Sequence, residues 1–392
     1  MLNIVEQHGV ATLEKANYSL LLMGGKYLRV LSMPLFNLNP KESPKELFGR
    51  ERELKELIHL IKAKRWVAVL GPRMVGKTSL LKVAGAELEK AKIKVVYVNL
   101  WGAKGTNGLL RALARGLNDE KSILQKIKDV AQRIEGVSVG TGGISMSISK
   151  RPMATVWDLL EAIGNQAGNC VIELDEVQEL AAISGRLLKL LANIFNTHPN
   201  IVFIFTGSMF GLMKTLLEPG ASSPLYGRSP AKLYLQPFTK ELATKFLKKG
   251  FEEHNLTIKD EIVNEAVERL DGIPGWLTLY GNNITIRKLP HQKALEETIS
   301  EGIKIVKDEL EHFLEGRDKQ AYLAALKATA TPARWTEIKG AVEIAKASTV
   351  NDATIYRIIE NLKAAMLIEE KESVYRINDP MLRTLLLTSQ IT

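Results

Sequence analysis

Apolar residues along the chain change rhythm twice. Leu54, Leu57, Ile58 and Ile61 recur at helical spacing between about 50 and 63. Trp66-Val67-Ala68-Val69-Leu70 is a short unbroken apolar run, which reads as a strand buried on both faces. Lys94 to Leu100, Cys170 to Asp175 and Ile201 to Ser208 read the same way. Helical segments separate them: one through Leu80, Leu81, Val83 and Ala84, a long basic one up to about Glu135, and one at about 155–166. Strands alternating with helices predict βαβ units and a parallel sheet. Val137 to Ile148 alternates apolar and small residues around Gly140, Gly142 and Gly143, which predicts a hairpin. From about 240 to 315 the pattern is wholly helical, starting with Ala243, Phe246, Leu247 and Phe251 and broken once at Gly272-Ile273-Pro274-Gly275.

A third pattern follows from about 317. Ala333 to Ala345 forms a helix and Ser348 to Val350 a turn, and Asn351 or Asp352 can cap a helix that turns Ile355, Ile358, Ile359, Leu362 and Met366 inward. Leu367-Ile368 and Val374 to Ile377 flank Glu369 to Ser373 as a hairpin. Helix-turn-helix plus hairpin predicts a winged helix, with Thr354, Arg357 and Lys363 on its recognition helix and Lys371 and Arg376 in its wing. The chain therefore divides into an N-terminal extension (1–35), an α/β core (36–232), a helical domain (233–315) and a winged helix (316–392). Residues 1–35 are mixed and read as a docking element or a frayed start.

Composition narrows the class. No run of ~18 apolar residues occurs, so no membrane-spanning helix is expected. Cys170 is the only cysteine, which leaves no internal disulfide or zinc cluster and suggests a cytoplasmic setting. The net charge is +9 and is uneven. Residues 1–230 hold 30 Lys/Arg and 20 Asp/Glu, 231–315 hold 12 and 15, and 316–392 hold 11 and 9. The basic excess lies in the α/β half, where a polyphosphate, a nucleic acid or solvent can face it.

Gly71-Pro72-Arg73-Met74-Val75-Gly76-Lys77-Thr78 fits the phosphate-binding P-loop pattern and lies between a strand and a helix, as its mechanism requires. Its glycines let backbone N–H groups curl around phosphates. Lys77 reaches the β- and γ-phosphates, Thr78 offers a hydroxyl to Mg²⁺, and Ser79 continues the helix start. ATP or ADP with Mg²⁺ is thus the expected ligand. Asp175 and Glu176 end a strand expected to lie beside the P-loop strand. Asp175 is the expected metal partner, and Glu176 the group that orients and deprotonates the attacking water. Thr206 and Ser208 end the next strand, where a hydroxyl can meet the γ-phosphate or the water and a plain polar turn fits equally. Arg228, in Ser223-Pro224-Leu225-Tyr226-Gly227-Arg228, is either a solvated loop residue or a charge stabiliser supplied to a neighbouring subunit.

These residues resemble the archaeal ATPase family within the STAND class of AAA+ proteins. The resemblance runs from about Phe36 to the C-terminus. It is carried by Leu47-Phe48-Gly49-Arg50-Glu51, the P-loop, the Leu174-Asp175-Glu176 strand end, Thr206-Gly207-Ser208, Pro224 to Arg228, Leu235-x-Pro237-Phe238 and Gly272 to Gly275. It implies an AAA+-like P-loop sheet, an α-helical lid and a slow ATPase switch. It also implies that Phe48, Gly49 and Arg50 lie against the adenine, that Arg228 is an arginine finger, and that Gly272 and Pro274 close the lid over the nucleotide. A sensor-2 arginine is not evident, which sets aside the usual lid motion of AAA+ proteins. Three readings remain open: an ATPase switch, an ATP-regulated DNA-binding protein of replication-initiator or mobile-element type, and a scaffold whose self-assembly follows the nucleotide. In the DNA reading, Lys121, Lys126, Lys128, Arg133, Lys150 and Arg151 join the winged helix in gripping phosphates. A DNA-reading winged helix would carry more positive charge and fewer acids than Glu369, Glu370 and Glu372 in its wing, so a protein partner fits this domain as well as DNA does.

Overall fold

The computed structural model describes residues 34–147, 149–207 and 212–388, and ahead of them the backbone of four strands. Those four, β1 (Asn3–Gln7), β2 (Val10–Lys15), β3 (Tyr18–Met23) and β4 (Lys26–Val30), pair in order as an antiparallel meander. The sequence pattern suggested no such elements, because this stretch lacks a clean apolar-polar alternation.

The α/β core follows. Its first half contains α1 (Glu51–Lys62), β5 (Val67–Leu70), α2 (Lys77–Lys90), β6 (Lys94–Asn99), α3 (Gly105–Asp119) and α4 (Lys121–Ala131). A hairpin of β7 (Val137–Gly140) and β8 (Gly143–Met146) leads to α5 (Pro152–Gln166) and β9 (Cys170–Asp175). After a 3₁₀ turn (Val177–Ile183) come α6 (Ser184–Thr197), β10 (Ile201–Thr206), α7 (Leu212–Leu217) and β11 (Ala231–Tyr234). The sheet is wholly parallel in the order β11-β5-β10-β9-β6. Every residue of β5, β9 and β10 is buried, which is why these strands read as unbroken apolar runs.

One sequence expectation needs correction. The acidic strand β9 does not lie beside β5, because β10 separates them. Between β5 and β6 the chain passes through α2, and β10 and β9 lie between those two strands in the sheet. The crossover on α2 therefore brings the start of that helix to the end of β9. The core also has a fifth strand, β11, on the far edge beside β5. Its four residues, only one of them buried, are too short and too polar to stand out in the sequence.

The helical region comprises α8 (Lys240–Glu252), α9 (Asp260–Leu270), α10 (Pro274–Thr285) and α11 (His291–Leu314). The C-terminal region comprises α12 (Lys319–Ala328), β12 (Ala333–Arg334), α13 (Trp335–Lys346), α14 (Asp352–Ala364), β13 (Ile368–Lys371), β14 (Val374–Ile377) and α15 (Pro380–Leu387). The order β12-β14-β13 makes the three-stranded sheet of a winged helix, and Asn351 caps α14 through the Ala353 N–H. One continuous apolar core runs through both regions. At their junction Met381 of α15 packs directly over Gly302 of α11, where a β-carbon would come within 2.7 Å of it.

Leu35 and Phe36 belong to this second core, not to the α/β core that follows them in sequence. Phe36 lies in a slot between Gly250 and Gly281, whose β-carbons would each come within 2.4 Å of its ring. Phe246 and Phe251 meet the ring edge-on. The Leu35 N–H donates to Glu253, and the Asn282 side-chain amide donates to the Phe36 carbonyl. Five residues on, the Lys41 N–H donates to the Ser79 hydroxyl in the first turn of α2. The strap 34–41 thus ties the helical region to the phosphate-loop helix. Phe36→Ala should leave an unfilled slot and cost about 3–5 kcal/mol. A clear drop in thermal midpoint checks this, and an unchanged midpoint would contradict the anchoring role.

Candidate nucleotide site

The site begins with the turn from β5 into α2. Gly71 has φ +152°, and a β-carbon there would lie 2.5 Å from the Leu235 carbonyl at the end of β11. The loop can sit this close to the sheet only with glycine. Gly76 caps α2 in the left-handed region, with nothing within 4 Å of where a β-carbon would be. The open N-terminus of α2 therefore faces clear space with its N–H groups and positive dipole end. Lys77 folds back, its Nζ donating to the Gly71 and Pro72 carbonyls at 2.9 Å each. Burial lowers the affinity of its ammonium for the proton, while Glu176 and Asp175 work the other way.

Asp175 is buried at the end of β9 and is the centre of the polar network. Its Oδ2 accepts from Thr78 Oγ1 at 3.0 Å and from the Tyr97 hydroxyl at 2.7 Å. Its Oδ1 accepts from Thr206 Oγ1. Thr206 in turn accepts from the Glu176 N–H at 3.2 Å. Glu176 itself has φ +63°, a left-handed conformation that a residue with a β-carbon rarely adopts, and its carboxylate accepts from the Gln178 side chain. Burial first, then the Asp175 charge, pushes the Tyr97 phenol up, so it stays a donor. Thr78, Tyr97, Asp175 and Glu176, with Lys82 and Trp101, line an open cavity of about 340 Å³. Among the described residues no group of three or more His, Cys, Asp or Glu could hold a metal. The oxygens of Thr78 and Asp175 suit a hard cation that takes the rest of its shell from phosphates and water, as Mg²⁺ does.

The other expected site residues fall into three groups. Pro72, Arg73, Met74 and Val75 form the loop, and Ser79 receives the strap. Arg50 is buried; its guanidinium donates to the Val75 and Gln236 carbonyls at 3.2 and 2.6 Å and pairs with Glu53. Arg50 therefore clamps the loop to the segment after β11. Phe48 packs edge-on against Phe238 and Phe246, and Gly49 adjoins Phe238 and Leu242. Pro274 starts α10, and the next residue, Gly275, donates its N–H to the Met74 carbonyl at 2.8 Å. Gly272, at φ +66°, lies where a β-carbon would meet the Phe238 carbonyl at 2.2 Å. The helical region is thus bonded directly to the phosphate loop. Arg73 adds an ion pair with Glu309 of α11. Arg228 is not brought to the loop: it is exposed, with its guanidinium 5.7 Å from the Phe195 ring on α6. Ser208 lies outside the described residues.

One residue with a clear role in this geometry was not singled out from sequence: Tyr97 carries no motif signal of its own. Tyr97 becomes visible only once the register places β6 beside β9, with Asn99 opposite Asp175. Arg73 was expected as part of the loop, but its ion pair was not, because Glu309 lies more than 200 residues downstream.

Residues 47–279 match an ATPase domain family found predominantly in Archaea, and residues 318–378 match the C-terminal winged helix-turn-helix domain of MCM proteins. No curated protein matches the chain. Among solved structures, the Walker-type ATPase paby2304 of Pyrococcus abyssi is similar at TM-score 0.72 and 29% identity, over 90% of this chain and 99% of that one. The ORC2 protein of Aeropyrum pernix, solved in ADPNP–ADP complexes, is similar in fold at TM-score 0.59 and 15% identity, over 90% and 96%. No helix among the described residues is long and apolar enough to cross a membrane.

Thr206→Val should remove a donor to Asp175 and an acceptor for the Glu176 N–H. Each buried polar group left unpaired costs about 1–3 kcal/mol. Denaturant unfolding should show that loss, and Tyr97→Phe a smaller one. Equal stability of Thr206→Val and the parent would mean that the network is not formed.

Proposed function

The chain belongs to the ATPase domain family found predominantly in Archaea, and from that membership we propose that it is a Mg²⁺-dependent ATP-binding and ATP-hydrolysing switch of the AAA+/STAND type. The observation that carries this reading is the Asp175 carboxylate, which joins Thr78 of the phosphate loop to Tyr97 and Thr206 at two strand ends, with Glu176 beside it.

Bound ATP with Mg²⁺ supplies the scissile phosphoanhydride and the counter-charge. The chain supplies the rest. Backbone N–H groups of Gly71 to Gly76 and the N-terminus of α2 bind the phosphates. Lys77 exchanges its two loop carbonyls for phosphate oxygens, which are better partners for an ammonium. Thr78 and Asp175 would hold the cation. Glu176 orients a water and takes its proton, with its backbone fixed by Thr206 and its carboxylate by Gln178. Phe48, Gly49, Arg50 and Pro274 border the adenine end, and Ser208, which follows β10 in sequence, is the proposed hydroxyl for the γ-phosphate or the water. Arg228, exposed on its own subunit, serves the nucleotide of a neighbouring copy in a homo-oligomer.

The switch follows from the Met74–Gly275 hydrogen bond and the Arg73–Glu309 pair, which tie the loop to α10 and α11. The α15–α11 packing carries that tie on to the winged helix, the expected dock for a protein partner. A cytoplasmic setting is part of the same reading.

A second reading, ATP-regulated DNA binding, is supported by the excess of ten positive charges in residues 1–230. Both readings need the same nucleotide site. Lys77→Ala should abolish ATP binding, whereas Glu176→Gln should bind ATP and lose about 100-fold or more in turnover. Nucleotide-binding and phosphate-release assays on the full chain check this. Intact ATP binding in Lys77→Ala would overturn the site assignment.

A further inference from the structure

The cations of this chain differ in whether they are neutralised. In the winged helix, Lys339 pairs with Glu343 and Asp352, and Lys346 with Asp318. Lys363, on the recognition helix, pairs with Glu360 and Glu370, and Arg376, in the wing, pairs with Glu369. Of the cations expected to face DNA there (Arg357, Lys363, Lys371 and Arg376), half are already held by carboxylates.

The segment around α4 and the β7–β8 hairpin is the opposite case. Residues 101–152 hold nine Lys/Arg and four Asp/Glu. None of those nine forms an ion pair among the described residues. Along α4 the buried residues are Ile123, Ile127 and Ala131. The face turned away from them carries Lys121, Gln125, Lys128 and Gln132 at i, i+4, i+7 and i+11, all exposed. Arg133 follows at the end of the helix, and Lys150 and Arg151 leave the other end of the hairpin, all three exposed.

The hairpin is built to stay in place. The Asn118 side chain of α3 donates to the Ile144 carbonyl at 2.8 Å and accepts from its N–H at 2.6 Å, as a neighbouring strand would. Ser149 and Thr155 bond each other at its base. Its turn, Gly140-Thr141-Gly142-Gly143, projects without a charged residue, and Ser138, Ser145 and Ser147 are exposed along it. A two-stranded ribbon of this width fits a duplex groove, and small hydroxyls with flanking unpaired cations fit the phosphates on either side.

We propose that the outward face of α4, together with the β7–β8 ribbon and Lys150–Arg151, is the main nucleic-acid contact of this chain and binds the phosphate backbone of duplex DNA, with the winged helix contributing little. The proposal rests on the second reading above for its partner and is independent of hydrolysis.

The test titrates a labelled duplex, and the matching single strand, with the full chain across a series of KCl concentrations. Lys121→Glu/Lys128→Glu/Arg133→Glu changes only exposed side chains. It should weaken duplex binding by about 10-fold or more at low salt and reduce the salt slope by about 3. Arg357→Glu/Lys371→Glu, on the winged helix, should change affinity by less than about threefold. ATP binding, measured alongside, should be unchanged in both variants and confirms folding. If the winged-helix variant loses binding and the α4 variant keeps it, the proposal is overturned and the DNA reading stands. If the parent chain binds no duplex at low salt, the DNA reading falls too, while ATP turnover still judges the switch. Tighter binding of the single strand than of the duplex overturns the assigned partner.

Discussion

Everything at this site depends on one buried carboxylate being held by three hydroxyls. Asp175 is removed from water, where an unpaired charge would be costly, so its oxygens must be fully used. Thr78, Tyr97 and Thr206 use them, and each arrives from a different element: α2, β6 and β10. The carboxylate therefore fixes the start of the phosphate-loop helix relative to three strand ends. It also fixes Glu176, whose N–H is held by the same Thr206 and whose backbone sits in a conformation that must be imposed on it. A cation entering between Thr78 and Asp175 would replace a hydrogen bond that already aims both oxygens inward. The site is thereby ordered before its ligand arrives, which is where electrostatic stabilisation is most effective.

A second set of contacts joins that site to the rest of the chain. The loop carbonyl of Met74 is bonded to Gly275, Arg50 is bonded to the carbonyl of Val75, and Arg73 reaches Glu309. The strap through Phe36 and Lys41 makes a further connection, from the helical core to Ser79. The helical and winged-helix regions share one apolar core. These separate attachments are spaced around one short loop, and the proposed switch rests on them.

The sequence made some of this legible and hid the rest for physical reasons. The buried strands were visible because parallel strands covered on both faces are continuously apolar. The P-loop was visible because phosphate binding demands glycine, lysine and a hydroxyl at fixed spacing. The strand order was not, since nothing in β9 says that β10 will separate it from β5. The edge strand β11 stayed hidden because only one of its four residues is buried. Tyr97 is an ordinary aromatic in a strand until pairing sets it beside Asp175. Arg50 and Gly272 were noticed through resemblance, but the geometry gives them mechanical roles. Arg50 clamps the loop, and Gly272 allows the helical region to approach the Phe238 carbonyl.

The most direct test of the role of Asp175 is the Mg²⁺ dependence of nucleotide binding in Asp175→Asn, measured on the full chain with a fluorescent ATP analogue. The substitution keeps the shape and removes the charge. The variant should still bind the nucleotide through the loop and Lys77 but should no longer bind more tightly when Mg²⁺ is added. A variant that responds to Mg²⁺ as the parent chain does would show that Asp175 neither holds the cation nor organises the site around it.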